Sequence, residues 1–274
     1  MSPVVIGSTD VGPFTQRWAE TGPAGSTRVL LLHGLYAGAH SFEWRNLVPV
    51  LDAEFLVRVP DLLGTGQSDR PDLEFTRDVV QRSVDALIED AGADVAVVAS
   101  SLTGAYALRS VAQGIPVRSL TLITPSGLGS PREVTPGRVN RAVYHLARHS
   151  PVGDAMVGAL TSKPSVRWFQ TNRTYRDEES LEPAELIETR RAGTLPNAKH
   201  LQLAFVFGRL AIDIDPADVA TVGPIVIWAT AQRFVDNAEA ERWRTAGARV
   251  IEIDSGLPQV EDPDRVAGII RAES

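Results

Sequence analysis

The sequence predicts an α/β protein whose mostly parallel sheet is flanked by helices and interrupted by an all-helical insertion. Two observations carry this prediction: short runs of Val, Ile and Leu that alternate with helical patterns, and one long interval without such a run. Nearly continuous apolar runs are typical of strands covered on both faces, as in parallel sheets. The runs lie at 28–34, 55–61, 95–100, 119–125, 224–230 and 248–254.

Helical patterns connect most of these runs. The segment 74–92 has apolar residues at helical spacing and ends at Gly92, and the segment 102–114 ends in the same way at Gly114, as helices commonly do. Strands that alternate with helices favour parallel pairing through right-handed crossovers.

The alternation breaks between about Pro131 and Ile214, where only helical segments are predicted. The Pro, Gly and Ser residues of 127–137 are typical of a linker into this interval. Because open α/β folds bind ligands at the carboxyl ends of their strands, we expect the helices to cover that edge. The predicted organisation is a core whose first part spans 1–130, a helical insertion at 131–215, and the second part of the core at 216–274.

The composition excludes several classes of protein. The 274-residue chain has a formal net charge of −7 and no run of five basic residues, which argues against nucleic acid or an anionic membrane as partner. The absence of cysteine excludes disulfides, thiolate metal sites and cysteine nucleophiles. No apolar run reaches the roughly 18 residues of a membrane span, and the first residues do not resemble a signal peptide. We therefore expect a cytoplasmic protein, and nothing in the sequence demands a metal or cofactor.

Three segments occur in an informative order along the chain. His33-Gly34-Leu35 ends a predicted strand, the segment 61–71 reads DLLGTGQSDRP, and Ser101 stands where the apolar run VAVVAS turns into a helical pattern. Together they resemble the α/β-hydrolase superfamily, whose members have HG, then D-x-x-G-x-G-x-S-D-x-P, then G-x-S-x-G. The resemblance covers nearly the whole chain. It implies an α/β-hydrolase sheet, a cap domain formed by the insertion, and Ser101 at the nucleophile elbow.

The elbow departs from the family pattern at both flanking positions. A serine at such a turn needs small neighbours two residues before and after it, and here they are Ala99 and Thr103 instead of two glycines. The resemblance implies that the main-chain N–H groups of Leu35 and Leu102 form an oxyanion hole. The run VASSL resembles a subgroup that has Ala-Ser-Ser at the elbow.

The partners that a serine nucleophile requires are missing. A serine hydroxyl needs a base within hydrogen-bond reach, and that base needs an orienting acid. In the segment that resembles the family's VWGxxDxxxP pattern, the acid position holds Gln232. In the segment that resembles GHxPxxExP, the histidine position holds Leu257. The resemblance therefore implies a degenerate catalytic triad and argues against standard serine hydrolysis.

The remaining histidines offer no clear replacement for the base. His33 is expected to hydrogen-bond the backbone of its loop, and His40 is expected to be solvated. His145 and His149 form an i, i+4 pair, but the arginines around them favour a solvated basic face over a metal site. His200 lies in a predicted helix of the insertion, from which it could reach the cleft.

The candidate site is therefore built around Ser101, and its expected partner is a small to medium, largely apolar carbonyl compound. We interpret Asp61 as a brace of its own loop, and the aromatic residues of the insertion as core. Substrate contacts are expected from His33, Gly34, Ser100, Gln232 and Leu257.

Three functions are compatible with these residues. The first is an enzyme that catalyses cyclisation, elimination or isomerisation, because a dry site with preorganised donors stabilises enolate-like charge without attack by water. The second is a binding protein that has lost catalysis. The third is an esterase-like hydrolase whose base has moved to another histidine. The sequence leaves the substrate and the oligomeric state open.

Overall fold

The computed structural model describes residues 4–128 and 138–273. Within these residues, eight strands form one sheet in the order β1-β2-β4-β3-β5-β6-β7-β8. All pairs among β3 to β8 are parallel and helices flank the sheet, so the predicted fold class is confirmed. The strands are β1 (Val5–Val11), β2 (Phe14–Thr21), β3 (Arg28–Leu32), β4 (Leu56–Pro60), β5 (Ala96–Ser100), β6 (Ser119–Ile123), β7 (Ile225–Ala229) and β8 (Arg249–Ile253).

The helices cover both faces of the sheet. They are α1 (Val48–Leu51), α2 (Arg77–Ala91), α3 (Ser101–Ala112), α4 (Arg138–Arg148), α5 (Pro151–Leu160), α6 (Lys163–Phe169), α7 (Pro183–Gly193), α8 (Lys199–Val206), α9 (Pro216–Val222), α10 (Ala238–Thr245), α11 (Pro258–Glu261) and α12 (Pro263–Glu273). Among the helices of the described chain, none has the length and apolar composition that crossing a bilayer would require.

Successive residues of each central strand enter different cores. In β3, Leu30 and Leu32 join the core that includes α2 and α3, whereas Val29 and Leu31 join the core that includes α1 and α12. All four side chains are fully buried. The two-residue period of a strand places them alternately on opposite faces, and this explains the continuous apolar run.

The first two strands are not predicted by the apolar runs. β1 and β2 form an antiparallel hairpin whose turn lies between Val11 and Phe14. Gly12 in this turn has a φ of +60°, a left-handed conformation that favours glycine. β2 in turn pairs antiparallel with β4. Both strands carry many exposed or half-exposed residues, so they lack the run that marks the strands covered on both faces.

Six α-helices of the described chain, α4 to α9, lie between β6 and β7. We refer to residues 138–206, which contain α4 to α8, as the cap. From 138 to 224, the described chain contains helices and loops but no strand. The predicted linker at 127–137 lies mostly outside the described residues. The division of the chain after 130 and after 215 therefore stays a prediction.

The cap is fastened to the loops that follow β7 and β8. The main-chain N–H of Arg233, after β7, donates to the carbonyl oxygen of Arg173 at 2.7 Å. The guanidinium of Arg176 contacts the carboxylate of Asp254, after β8, at 2.8 Å. The second contact is exposed and contributes little energy on its own. Together, the two contacts hold the cap over the carboxyl ends of the parallel strands.

Candidate active site

Ser101 lies at a sharp turn between β5, which ends at Ser100, and α3, which begins at Ser101. Its backbone φ is +53°, in the left-handed region that glycine adopts most easily. A serine held in this conformation between a strand and a helix has the geometry of a nucleophile elbow. Its hydroxyl forms no hydrogen bond with any residue of 4–128 or 138–273.

The residues around Ser101 accommodate this turn. Ala99 is fully buried. Thr103 replaces the second glycine of the family pattern, and its hydroxyl donates to the carbonyl oxygen of His33 at 2.7 Å. Gly34 leaves little room for a side chain, since a Cβ there would lie 3.3 Å from the Cβ of Ser101. The threonine therefore ties the elbow to the loop after β3 instead of obstructing it.

A cavity of about 350 Å³ opens beside Ser100 and Ser101, between the ends of the strands and the cap. Its wall is mostly apolar and is contributed by both the core and the cap. This volume is within the range of small-molecule sites. Apolar residues that line it include Leu35, Ile123, Val166, Phe169, Phe205 and Leu257.

Two aromatic side chains of the cap are more exposed than we predicted. Trp168 is 61% exposed and Phe169 is 46% exposed, so their assignment to the core is wrong. Helical spacing shows which residues share a face but not what covers that face. Phe169 stacks with Phe234, with ring centroids 6.5 Å apart, and both rings line the cavity.

Four of the predicted site residues line the cavity and four do not. Leu35, Ser100, Ser101 and Leu257 belong to its wall. The expected role of Leu102 depends on its main-chain N–H, so the position of its side chain does not decide it. The predicted residues that lie behind the wall are His33, Gly34, Leu102 and Gln232.

His33 braces the loop that follows β3. Its side chain is fully buried. The ring Nδ1 donates to the carbonyl oxygen of Gly34 at 2.8 Å, and Nε2 accepts from the N–H of Leu62 at 3.2 Å. One nitrogen donates and the other accepts, as in a neutral imidazole. Both nitrogens are thus occupied, and neither serves Ser101.

The main-chain N–H groups of Leu35 and Leu102 have no hydrogen-bond acceptor among the described residues. Leu102 lies in the first turn of α3, where N–H groups have no partner within the helix. The positive end of the α3 dipole lies at the same place. Both groups are therefore available to an acceptor on a ligand.

Gln232 closes the loop that follows β7. Its side chain is 2% exposed. The amide oxygen accepts from the N–H groups of Phe234 at 2.9 Å and Val235 at 2.8 Å, and the amide nitrogen donates to Asn237 Oδ1 and to the carbonyl of Val235. An aspartate here would accept the same main-chain bonds but would supply no donor. The glutamine thus completes the turn without a negative charge.

Leu257 lines the cavity from the loop after β8. It packs against a small apolar cluster of the cap and core that includes Val166 and Tyr175. Its N–H donates to Glu261 Oε2 at 3.0 Å, and the same oxygen accepts from Ser255 and Gly256. Burial would raise the pKa of Glu261, but these hydrogen bonds outweigh burial and hold it below its ordinary value. An ionised Glu261 therefore fixes the loop.

His40 is buried, so the prediction that it is solvated is wrong. It is 6% exposed because helices of the cap cover its loop, where the N–H of Gly38 donates to Gln202 at 3.1 Å. His40 lines the cavity. Its Nδ1 accepts from the N–H of Phe42 at 3.2 Å, and its Nε2 lies 3.9 Å from Glu188. Burial lowers the pKa of His40, which favours the neutral imidazole.

The other histidines lie away from the cavity wall. His200 is 3% exposed and its Nε2 lies 3.3 Å from the carboxylate of Asp72. His145 on α4 and His149, directly after it, are both exposed, as the sequence suggests. Among the described residues, no group of three His, Cys, Asp or Glu side chains is arranged to hold a metal ion.

A buried polar cluster at the cap side of the cavity is absent from the sequence predictions. Glu185 Oε2 accepts from the hydroxyl of Tyr175 at 2.5 Å and from Arg45 at 2.9 Å, while Oε1 accepts from the amide of Gln170 at 2.6 Å. Burial raises the pKa of Glu185, and these hydrogen bonds counteract part of the rise. No sequence spacing reveals the cluster, because Arg45 and Glu185 are 140 residues apart.

Glu43 is a second carboxylate in the cavity wall that the sequence analysis missed. Its Oε2 accepts from the N–H of Gly34 at 2.9 Å, and its Oε1 accepts from the amide of Gln259 at 2.9 Å. A Cβ on Gly34 would lie 3.5 Å from this Oε2 and 3.3 Å from the Cβ of Ser101, so the carboxylate and the serine are neighbours. Its place in the segment 33–45 beside the HG motif is the only sequence cue.

Comparison with known sequences finds a family profile and several relatives. The profile of the Alpha/beta hydrolase family matches residues 29–269. The chain is 35% identical over 123 residues to a 2-hydroxy-6-oxo-6-(2'-aminophenyl)hexa-2,4-dienoic acid hydrolase of Metapseudomonas resinovorans, covering 43% of this chain and only 42% of that protein. It is 28% identical over 221 residues to a 2-hydroxy-6-oxo-6-phenylhexa-2,4-dienoate hydrolase of Burkholderia cepacia, covering 76% of this chain and 72% of that protein.

A solved structure with the same fold is that of the epoxide hydrolase CorEH without ligand. It superposes with a TM-score of 0.73 over 99% of this chain and 98% of that one, at 19% sequence identity. Identity this low supports a common fold and no more. The family profile, in contrast, covers residues 29–269, which is most of the chain. The chain therefore belongs to the alpha/beta hydrolase family.

Proposed function

We propose that this chain is an enzyme that uses the hydrolase fold for a non-hydrolytic reaction, namely a cyclisation, elimination or isomerisation. The substrate is a small to medium, largely apolar compound with a carbonyl group. The observation that carries the proposal is the isolation of the Ser101 hydroxyl, which has no hydrogen-bond partner among the described residues. Gln232 and Leu257, at the acid and histidine positions, cannot activate it.

The proposed chemistry uses the donors that converge beside Ser101. The N–H groups of Leu35 and Leu102 polarise the carbonyl oxygen of the substrate, and the Ser101 hydroxyl adds a third donor. Donors fixed in place before the reaction stabilise an enolate-like oxygen with little reorganisation. The apolar wall, including Leu257, limits the water that would otherwise attack.

Removal of a proton next to the carbonyl requires a base, and we assign this role to Glu43. Its carboxylate is 6% exposed, lines the cavity and neighbours Ser101. It accepts from the N–H of Gly34 and the amide of Gln259, and the Tyr36 hydroxyl is a third donor, so one of its roughly four lone-pair positions stays available to a substrate proton. Glu185 is less suited because one of its three donors is the guanidinium of Arg45, a cation that offsets part of the rise in its pKa caused by burial and so makes it a weaker base.

A hydrolase with a relocated base is the second candidate, and two observations favour it. The relatives named above are hydrolases, and His40 lines the same cavity as Ser101. Against it, His40 Nδ1 already accepts from Phe42, and Nε2 faces Glu188. To serve Ser101, the ring would have to leave its place as the N-terminal cap of the short 3-10 helix Ser41–Trp44.

Proton exchange with solvent separates these candidates. Acetophenone is incubated with the protein in D₂O, and loss of the methyl proton signal is followed by NMR. We expect exchange above the buffer rate, and a loss of about 10²-fold in Ser101→Ala if the hydroxyl acts as an oxyanion donor. Ser101-dependent hydrolysis of 4-nitrophenyl butyrate without exchange would overturn the proposal in favour of a hydrolase. Binding of acetophenone with neither activity would favour a binding protein.

A further inference from the structure

The described wall of the cavity carries more negatively than positively charged side chains. Among the described residues that line it, Glu43 and Glu185 are acidic, and Arg45 and His40 are basic. Burial lowers the pKa of His40, and its Nδ1 accepts a hydrogen bond, so the ring carries no charge at neutral pH. Arg45 is then the single cation of the described wall.

Arg45 is fully engaged with the protein. Its Nε lies 3.3 Å from Glu182, and its terminal nitrogens lie 2.9 Å from Glu185 and 3.5 Å from the carbonyl oxygen of Phe42. The guanidinium also sits 4.8 Å from the centroid of the Phe42 ring. Two carboxylates thus neutralise one guanidinium whose side chain is 11% exposed. A carboxylate on a ligand would find no unpaired cation here.

Glu43 makes the end of the cavity near Ser101 unfavourable for an anion. Both of its oxygens accept hydrogen bonds, from Gly34 and Gln259, which is the pattern of an ionised carboxylate. The N-terminus of α3 attracts anions with the equivalent of roughly half an elementary charge. Glu43 opposes it with a full charge in a largely buried place. Repulsion therefore outweighs the helix dipole for a charged ligand, whereas a neutral carbonyl still benefits from the free N–H groups.

We infer that the cavity selects uncharged carbonyl compounds and rejects carboxylates, and that Glu43 is the main cause of the rejection. This differs from the dienoic acid and dienoate hydrolases to which the chain is related, whose names describe carboxylate substrates. The preference for a carbonyl rests on the proposed function. The discrimination of charge rests on the cavity wall alone.

The test compares two probes of nearly equal shape, 4-acetylbenzamide and 4-acetylbenzoate, by calorimetric titration and ligand-observed NMR. At about pH 7.5 the second probe is ionised and the first is neutral. We expect the amide to bind at least about tenfold more tightly, which corresponds to about 1.4 kcal/mol. Equal or tighter binding of the benzoate overturns the inference, and so does failure of the amide to bind.

Glu43→Gln tests the assigned cause. This variant should fold, because the amide oxygen of Gln259 is buried without a partner and can accept from the new amide once Gln259 turns over. We expect the tenfold difference in affinity between the amide and the benzoate to fall to less than about threefold in this variant. Glu89→Gln on the exposed surface of α2 makes the same change in net charge outside the cavity, and it should leave that difference unchanged.

The outcomes separate this inference from the proposed function. The role of Glu43 is contradicted if the difference in affinity between the two probes is unchanged in Glu43→Gln. It is also contradicted if Glu89→Gln reduces that difference equally. The titrations with 4-acetylbenzamide and 4-acetylbenzoate measure binding only and do not depend on catalytic turnover. Ester hydrolysis by the intact chain would therefore overturn the proposed function while leaving the measured charge discrimination in place.

Discussion

The carboxylate of Glu261 accepts a hydrogen bond from the main-chain N–H of Leu257 at 3.0 Å. The loop after β8 is therefore held rigidly, as a loop that positions a catalytic side chain must be. The side chain at this position, Leu257, is nevertheless apolar. The loop after β7 is held in the same way by Gln232. The main chain of Ala231 donates to the carbonyl of Ser255 at 3.0 Å, so the two loops are adjacent. Both loops are thus fixed by hydrogen bonds to the main chain, with a leucine at 257 and a glutamine at 232.

Leu257→His combined with Gln232→Asp is expected to create esterase activity. Loss of the base costs a serine protease about 10⁶-fold in turnover, so recovery of a small part of this, at least about tenfold above the unmodified chain, is measurable. The assay is hydrolysis of 4-nitrophenyl butyrate, and adding Ser101→Ala should abolish the gain. A folded but inert double variant would show that these two positions are assigned incorrectly.

Gly256→Ala is expected to loosen the cap. A Cβ at this position would lie 1.7 Å from the carbonyl oxygen of Thr174, so the cap segment must move. Overpacking of this kind costs about 1–3 kcal/mol or more of the free energy of unfolding. Urea denaturation measures the loss. Gly268→Ala in α12 is the control, since nothing lies within 4 Å of its Cβ, and it should stabilise by about 0.5–1 kcal/mol.

His40 is expected to make stability depend on pH in the acidic range. Burial lowers its pKa in the folded state below the unfolded value of about 6.5, so the folded chain binds fewer protons. The stabilisation is complete above about pH 7 and is lost as the pH falls through the folded-state pKa, by at most about 1.4 kcal/mol per pH unit. His40→Asn keeps an acceptor for the N–H of Phe42 but does not titrate.

Urea denaturation of the two chains at several pH values tests this expectation. The difference between their free energies of unfolding should be constant at neutral pH. On acidification, the unmodified chain should lose more stability than His40→Asn. Parallel curves down to about pH 5 would mean that the pKa of His40 is not lowered by burial.

Arg45→Leu is expected to destabilise the chain by about 3–5 kcal/mol, because it leaves the buried carboxylate of Glu185 without its cation. Adding Glu185→Gln should recover part of this loss, since the amide carries no charge and its oxygen can still accept from the Tyr175 hydroxyl. Thermal and urea denaturation of both variants measure the effect. Equal stability of Arg45→Leu and the unmodified chain would show that Arg45 does not stabilise the buried carboxylate of Glu185.

Much of the core was predictable because its strands are covered on both faces. The runs that contain Leu30 and Val97 are unmistakable for that reason. The hairpin that contains Val11 and Phe14 escaped because its strands are partly exposed and do not form such runs. The elbow at Ser101 was predictable from a local motif, because the residues of such a motif are close together in the chain and can be recognised in a single sequence.

The cavity wall was less predictable because it is assembled from distant parts of the chain. Arg45 meets Glu185 across 140 residues, and Glu43 meets Gln259 across 216 residues. His40 was expected to be solvated because its Gly- and Ala-rich loop gives no sign that the cap covers it. The pairing of Arg45 with Glu185 and the burial of His40 depend on how the cap docks onto the core, and the pairing of Glu43 with Gln259 depends on how two distant core segments meet. No local pattern encodes either.

Reaction of Ser101 with a fluorophosphonate probe tests the central claim most directly, because this reagent labels only a serine whose hydroxyl has an effective base. The unmodified chain is treated alongside Ser101→Ala, and the extent of labelling is measured by intact-protein mass spectrometry. We predict no rapid labelling of Ser101 in the unmodified chain. Fast, stoichiometric labelling that disappears in Ser101→Ala would contradict the account.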